Sequence, residues 1–268
     1  MISPLAHIDP NAKIGNHVII EPFAVIKGNV TIGDNSHIMS NAYIDNNTTI
    51  GKNCHIFPGA VVGTIPQDLK FVGEETTVEI GDNTTIRECV TIHRGTKDKW
   101  KTIVGSNCLL MAYSHVAHDC ILGNNIILGN AVQLAGHVTI DDYAILSGMA
   151  GAHQFTHIGA HTYIAGHTVV RKDVPPFIKA AREPLTYMGI NLVGLQRRGF
   201  SKETISQISQ IYHILFIEKN TTSIAVGMIE QNFNGSEVKE QILRFINSSK
   251  TGIIKRPSKS GHDEDFSF

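Results

Sequence analysis

From Ile8 to Val62, every sixth residue of the chain is apolar. Ile8, Ile14, Ile20, Ile26, Ile32, Ile38, Ile44, Ile50, Ile56 and Val62 are all β-branched aliphatics. The same phase returns at Ile80, Ile86 and Ile92. It runs again from Val104 through Leu110, Val116, Leu122, Leu128, Leu134, Ile140, Leu146, Ala152, Ile158 and Ile164 to Val170. A second small or apolar residue follows four positions later, as at Ala12, Val18, Ala24, Val30 and Ala42. A helix repeats every 3.6 residues and a strand every 2, so neither accounts for a strict six. Two short strand-like steps and a turn do. Each hexad is then one flat side of a coil, with its aliphatic pointing inward. Three sides close a triangular prism, so one coil takes about 18 residues and stacks on the next at parallel-sheet spacing.

Two stretches carry no hexads, residues 63–79 (GTIPQDLKFVGEETTVE) and 94–103 (RGTKDKWKTI). They are expected as loops ejected from the prism, in the kind of place where function concentrates. The repeat ends near Val170, and Pro175-Pro176 stops a ladder strand. The remainder of the chain reads as helical. Ser201 caps a helix through Ile205, Ile208, Ile211, Tyr212 and Leu215. A second helix starts after Thr222 and a third after Ser236, with Val238, Ile242, Phe245 and Ile246 on one face. The expected organisation is a β-helical prism over residues 1–174 and an α-helical part over 175–268. The last residues, RPSKSGHDEDFSF, form a frayed polar tail.

Composition narrows the function. A formal net charge of −1 over 268 residues gives no global basic field for nucleic acid. No apolar run reaches the ~18 residues of a membrane span. MISPLAHIDP lacks the charged and apolar regions of a secretory leader. The four cysteines, Cys54, Cys89, Cys108 and Cys120, have no C-x-x-C spacing. They suggest neither a disulfide framework nor a zinc knuckle, and the expected location is the cytoplasm.

The chemistry concentrates in YSHVAHDCILG (Tyr113 to Gly123). His118 stands two residues beyond the register position Val116, outside the core positions. One coil further on is Gly136, and two coils further on is Gln154. The neighbouring column reads Asp119, His137 and Phe155. His118, Gly136 and Gln154 are therefore expected as one outward column, with steps of about 5 Å. A neutral histidine can take a proton from an attacking hydroxyl. An adjacent carboxylate orients the ring and favours the imidazolium that forms. A glycine lets its backbone N–H approach a substrate and stabilise an oxyanion. A glutamine amide can hydrogen-bond a polar substrate.

At these residues the chain resembles a known family. TIHRGT (Thr91 to Thr96), AHDC (Ala117 to Cys120), LAGHV (Leu134 to Val138), HQF (His153 to Phe155), DVPPF and GLQRRGF (Gly194 to Phe200) occur in the order found in UDP-N-acetylglucosamine O-acyltransferases of lipid A biosynthesis. IPQDLKFVGE in the first loop is similar too. The resemblance implies a left-handed parallel β-helix followed by a small α-helical C-terminal domain. It implies transfer of an (R)-3-hydroxyacyl chain from acyl carrier protein to the 3-hydroxyl of UDP-N-acetylglucosamine, by a cytoplasmic homotrimer with sites between prisms and without cofactor or metal. Carried over by position, His118 is the general base, Asp119 its partner, and the Gly136 N–H the oxyanion donor. His115, His137 and Gln154 contact substrate. Asp68 and Lys70 reach the sugar from the adjacent subunit. Asn191, Arg197 and Arg198 serve the nucleotide or the carrier protein, arginine being suited to bidentate phosphate contact. Gly166 falls at the position that gates acyl-chain length, where a glycine leaves room for a longer chain. Two departures stand out: IKAAREPLTY replaces a glycine-containing turn after DVPPF, and Val193 stands where an acidic residue is common.

Rival readings remain open at this point. An N-acyltransferase of the same pathway shares the prism and the histidine base, but it carries an extra N-terminal uridine-binding domain, whereas hexads here begin at Ile8. A γ-type zinc carbonic anhydrase spaces two ligand histidines with four residues between them. None of the 14 histidines is so paired, and His157 and His161 have three between them. A non-catalytic β-helical scaffold would make His118 dispensable.

Overall fold

The structure, a computed structural model, describes residues 1–218, 220–233 and 235–256. The polar tail expected beyond Arg256 lies outside the described residues. The hexads form a three-walled prism of parallel strands, one wall with nine strands, one with eight and one with ten. Most strands are two residues long, and their second residue is the hexad aliphatic. Those aliphatics fill the prism: Ile26, Ile38, Ile44, Ile56, Val62, Ile92, Leu110, Val116, Leu128 and Leu134 are fully buried. Burying each such side chain stabilises the fold by about 1.5–3 kcal/mol.

The coil period is 18 where nothing is inserted, as His115 pairs with Gln133 and Gln133 with Gly151. Val61 instead pairs with Thr91, 30 residues on, and Thr91 with His115, 24 residues on. The excess is ejected at the corner between the nine- and eight-strand walls. The ejected segments are shorter than the hexad gaps suggest. Strands Val61–Thr64, Thr77–Ile80 and Lys101–Val104 reclaim the ends of both gaps, so the excursions are residues 65–76 and 94–100.

The corner between the eight- and ten-strand walls explains the recurring Gly-Asx-Asn triplets. Asp34, Asp82, Asn124 and Asp142 each accept, through Oδ1, a backbone N–H of the preceding coil at 2.7–2.9 Å. Asn35, Asn53, Asn83, Asn107 and Asn125 follow in the left-handed region, with φ between 54° and 60°. Asparagine tolerates that region better than other side chains do.

The end of the prism departs from expectation. Pro175-Pro176 does not end the ten-strand wall. Strand Ile178–Ala181 continues it in parallel with Tyr163–Ile164, and Thr186–Ile190 then adds an antiparallel edge. The prolines sit in the corner before the strand, where no ladder N–H is needed. The ten-strand wall therefore runs on to Ile190, past the 174/175 division. Helix α1 (Leu192–Arg197), absent from the sequence expectation, is capped by Asn191. Helix α2 (Lys202–Tyr212) is capped by Ser201 as expected, and continues as a π-helical turn, His213–Ile217. Helix α3 (Thr222–Asn232) takes Thr221 as cap, and α4 (Glu237–Ser248) takes Ser236. The helices are tied to the prism. Tyr212 Oη donates to Pro176 O at 2.6 Å, and the Asp173 carboxylate accepts the hydroxyls of Ser249 and Thr251. Among the described residues, no helix is long and apolar enough to cross a membrane.

Candidate active site

The corner between the nine- and eight-strand walls carries His118, Gly136 and Gln154 on successive coils. The register holds: His137 N–H donates to His118 O at 3.0 Å, and Phe155 N–H to Gly136 O at 3.3 Å. His118 is not outward and open as the column arithmetic suggested, because both ejected loops fold back over it and leave it 6% exposed. Its imidazole lies against Gly136. A Cβ at Gly136 would fall 2.5 Å from His118 Cε1 and 2.6 Å from Nε2. Among the described residues the Gly136 N–H has no acceptor.

His118 Nδ1 meets Asp119 Oδ2 at 2.8 Å. A carboxylate only accepts, so Nδ1 carries the hydrogen and Nε2 presents its lone pair. The Asp119 carboxylate is fully buried and takes three further hydrogen bonds from the loop of residues 94–100. Thr96 N–H and Lys99 N–H donate to Oδ1 at 3.0 and 3.1 Å, and Thr96 Oγ1 to Oδ2 at 2.6 Å. Burial alone would raise its pKa. The hydrogen bonds from His118, Thr96 and Lys99 outweigh it and hold the carboxyl at about 2, ionised at any working pH.

Other histidines crowd round. His137 packs edge-on to His118 at 5.0 Å and stacks on Phe155 at 4.4 Å. Its Nδ1 lies 3.1 Å from Asp98 Oδ2. His115 Nδ1 hydrogen-bonds Thr91 Oγ1 at 2.7 Å, and its ring meets His93 edge-on at 4.9 Å. Burial lowers the pKa of His93 to about 4, with help from His115 and His118, and also lowers those of His115 and His137. These rings are neutral near pH 7, and the Asp119 carboxylate is the charge held directly against His118 Nδ1. His118, Asp119 and His137 bring three potential metal-ligand atoms within 4.8 Å of one another. Asp119 already has both oxygens engaged by protein donors, so the group reads as a hydrogen-bonded network rather than a cation cage.

The remaining predicted residues divide among the prism corners. Asp68, on the first loop, puts Oδ2 3.9 Å from Nε2 of its own chain's His118, so no adjacent subunit is needed to bring it there. Lys70 is exposed, and its side chain has no hydrogen-bond partner among the described residues. Gln154 is exposed beside Phe155. Asn191, Arg197 and Arg198 are not beside His118. Asn191 donates to His161 O at 2.8 Å, and Arg198 to Tyr143 O at 3.0 Å, with its guanidinium 5.3 Å from the Tyr143 ring centre. Both anchors lie at the corner between the eight- and ten-strand walls. Asn191 spends its amide on the His161 carbonyl and the α1 cap, a structural duty the sequence did not reveal. Gly166 occupies the third corner, where a Cβ would meet Gly148 O at 2.9 Å. His93, Thr96 and Lys99 were missed. Counting coils at 18 passes over them, whereas the 24-residue step across the loop puts His93 one coil below Ala117.

The family model for UDP-N-acetylglucosamine O-acyltransferase domain 2 matches residues 173–254, and bacterial transferase hexapeptide repeats match 29–64 and 101–134. The acyl-[acyl-carrier-protein]–UDP-N-acetylglucosamine O-acyltransferase of Aliivibrio fischeri (strain MJ11) is 46% identical over 197 residues, 73% of this chain and 75% of that one. A UDP-N-acetylglucosamine acyltransferase from Bacteroides fragilis is 52% identical, with a TM-score of 0.94 over 95% of this chain and all of that one. The chain belongs to the UDP-N-acetylglucosamine O-acyltransferase family. The Francisella novicida and Arabidopsis acyltransferases also superpose, at 42% and 32% identity and TM-scores of 0.94 and 0.85. They cover 98% and 95% of this chain, and 97% and 100% of their own. The name of the Aliivibrio fischeri relative gives an acyl carrier protein as its acyl donor and UDP-N-acetylglucosamine as its acceptor.

Proposed function

We propose that the chain, as a cytoplasmic homotrimer, moves an (R)-3-hydroxyacyl group from acyl carrier protein to the 3-hydroxyl of UDP-N-acetylglucosamine, with His118 as general base. The observation that carries this reading is the His118 imidazole fixed by Asp119 at 2.8 Å, directly beneath Gly136 and its unpartnered N–H. The acceptor O–H gives its proton to His118 Nε2 while the oxygen attacks the thioester carbon. Charge developing on the thioester oxygen is met by the Gly136 N–H. Collapse breaks the carbon–sulfur bond, and the departing carrier thiolate takes the proton back from His118. Asp119 stays ionised and stabilises the transient imidazolium. Asp68 lies on the Nε2 side, where the acceptor hydroxyl approaches. Lys70, His115, His137 and Gln154 line the acceptor's surroundings, and Gly166 sets the room for the acyl chain.

The corners support an assembled ring. Arg197, Arg198 and Gly166 do not reach His118 along their own prism, so the roles proposed for them need a neighbour packed against the His118 corner.

His118→Ala should fold as the wild type does, by circular dichroism and light scattering, and lose transfer. The assay is purified protein, UDP-N-acetylglucosamine and a ladder of 3-hydroxyacyl carrier proteins, read by product mass. An active His118→Ala protein would remove His118 as the base. A product acylated only on an amino-sugar acceptor would favour N-acyl transfer.

A further inference from the structure

The reaction as proposed uses His118, Asp119 and Gly136, and leaves the loop of residues 94–100 without a role. That loop makes the walls of the Asp119 socket. Thr96 is 7% exposed, and its hydroxyl has one hydrogen, committed to Asp119 Oδ2 at 2.6 Å, because a carboxylate cannot donate. The same oxygen accepts Asp98 N–H at 3.3 Å, which fixes the rotamer. Thr96 O accepts Trp100 N–H at 2.8 Å, so the loop closes on itself around this residue. From the other side, Lys99 Nζ donates to Asp119 O and Asp119 N–H donates to Thr102 Oγ1, at 3.0 and 2.9 Å. Oδ2 is thus shared between Thr96 Oγ1 and His118 Nδ1, the ring nitrogen whose hydrogen leaves Nε2 free to act.

We infer that Thr96 is a positioning residue of the reaction, acting through Asp119 to aim His118 and to temper the charge it faces. The inference rests on His118 as base. Without the Thr96 hydroxyl, Oδ2 keeps only its His118 hydrogen bond, and the carboxylate, still held at Oδ1 by the Thr96 and Lys99 N–H groups, is fixed less firmly on the His118 side. The imidazole keeps its Asp119 partner but is aimed less sharply, as ligand histidines are when an outer partner is weakened. The charge left on Oδ2 also favours protonated His118, so more alkaline conditions are needed to free the base. The other ionisable groups facing His118 are Asp68 from the first loop and His137, with His115 and His93 behind it. Asp98 and Lys99 lie on the same loop as Thr96.

Thr96→Val keeps the shape and removes the donor. The expected result is a fall in kcat of about tenfold or more, with KM for both substrates nearly unchanged. The acid limb of the kcat–pH profile should move to higher pH, and Thr96→Ser should restore both rate and limb. Combined with His118→Ala, Thr96→Val should leave the residual rate unaltered, because the two act through one device. A purely structural role predicts instead a lower melting temperature, an unmoved limb and losses that multiply in the double variant; that outcome overturns the inference. So does a Thr96→Val enzyme with wild-type kcat and profile. Should Thr96→Val not fold, Thr96→Ala carries the same comparison. A fully active His118→Ala protein would defeat the reading of the base, whereas an inactive one beside an unaffected Thr96→Val defeats only the role of Thr96.

Discussion

Gly136 has no side chain because the His118 ring occupies the space where one would be. The glycine does two things at once: it lets the imidazole lie against the chain, and it leaves a backbone N–H bare beside that ring. Gly136→Ala should therefore push the ring aside without harming the coil, since φ at this residue is not in the glycine-only region. A displacement of about 1 Å in a catalytic group costs on the order of 10²-fold in rate. The expected phenotype is that loss in kcat with an unchanged far-ultraviolet spectrum; a wild-type kcat would mean that the contact with His118 has no catalytic meaning. That His118, Asp119 and Gly136 come together was legible in the sequence, because a motif and the coil arithmetic agreed there. Thr96 and Lys99 were not legible, because they reach Asp119 from an ejected loop whose path no periodicity constrains. Asn191 shows the opposite failure: its amide is consumed by a helix cap and a carbonyl, and sequence alone cannot distinguish that from a ligand contact.

At the scale of elements, the hexads specify strands that would be meaningless alone. A two-residue strand has almost no intrinsic stability, so each wall depends on the coils above and below it. That is why the corners matter as much as the core. Gly33, at the corner between the eight- and ten-strand walls, touches the next coil so closely that a Cβ would lie 2.6 Å from the Gly51 carbonyl carbon. The obstacle is backbone, which cannot rotate away, so Gly33→Ala should destabilise by about 1–3 kcal/mol or more. Gly227 in α3 is the contrast: a Cβ there meets nothing within 4 Å, and Gly227→Ala should stabilise by about 0.5–1 kcal/mol through helix propensity. Chemical denaturation of both variants tests the pair, and shifts of the same sign would contradict the close-approach argument. The hairpin of Ile178–Ala181 and Thr186–Ile190 escaped the sequence reading for a related reason. It carries no hexad, and its pairing is supplied by the wall it joins rather than by its own pattern. The helix caps Ser201 and Ser236, by contrast, are local signals and were readable as such.

The whole molecule poses a question that no single corner answers. One prism has three edges, and the residues assigned to one reaction are spread over all of them. His118 and Asp119 lie between the nine- and eight-strand walls. Arg198 is anchored between the eight- and ten-strand walls, and Gly166 lies between the ten- and nine-strand walls. The prism is stiff, its interior packed with fully buried aliphatics, so no bending brings these edges together. Either the arginine serves no site, or each site takes its base from one subunit and its arginine from the next. The alternatives separate in mixed oligomers. His118→Ala and Arg198→Ala should each be inactive or nearly so when pure. Unfolded together, refolded in equal amounts and confirmed as trimers by light scattering, they should regain activity. In a ring with one site per interface, random mixing leaves about a quarter of sites with an intact base and an intact arginine, and so about a quarter of wild-type activity. Were both residues to serve a site within one chain, every subunit would carry a defect and mixing would restore nothing. Recovery at that level would establish that the acyltransferase exists as a catalyst only in the assembled ring, with His118 and Arg198 meeting across a subunit boundary.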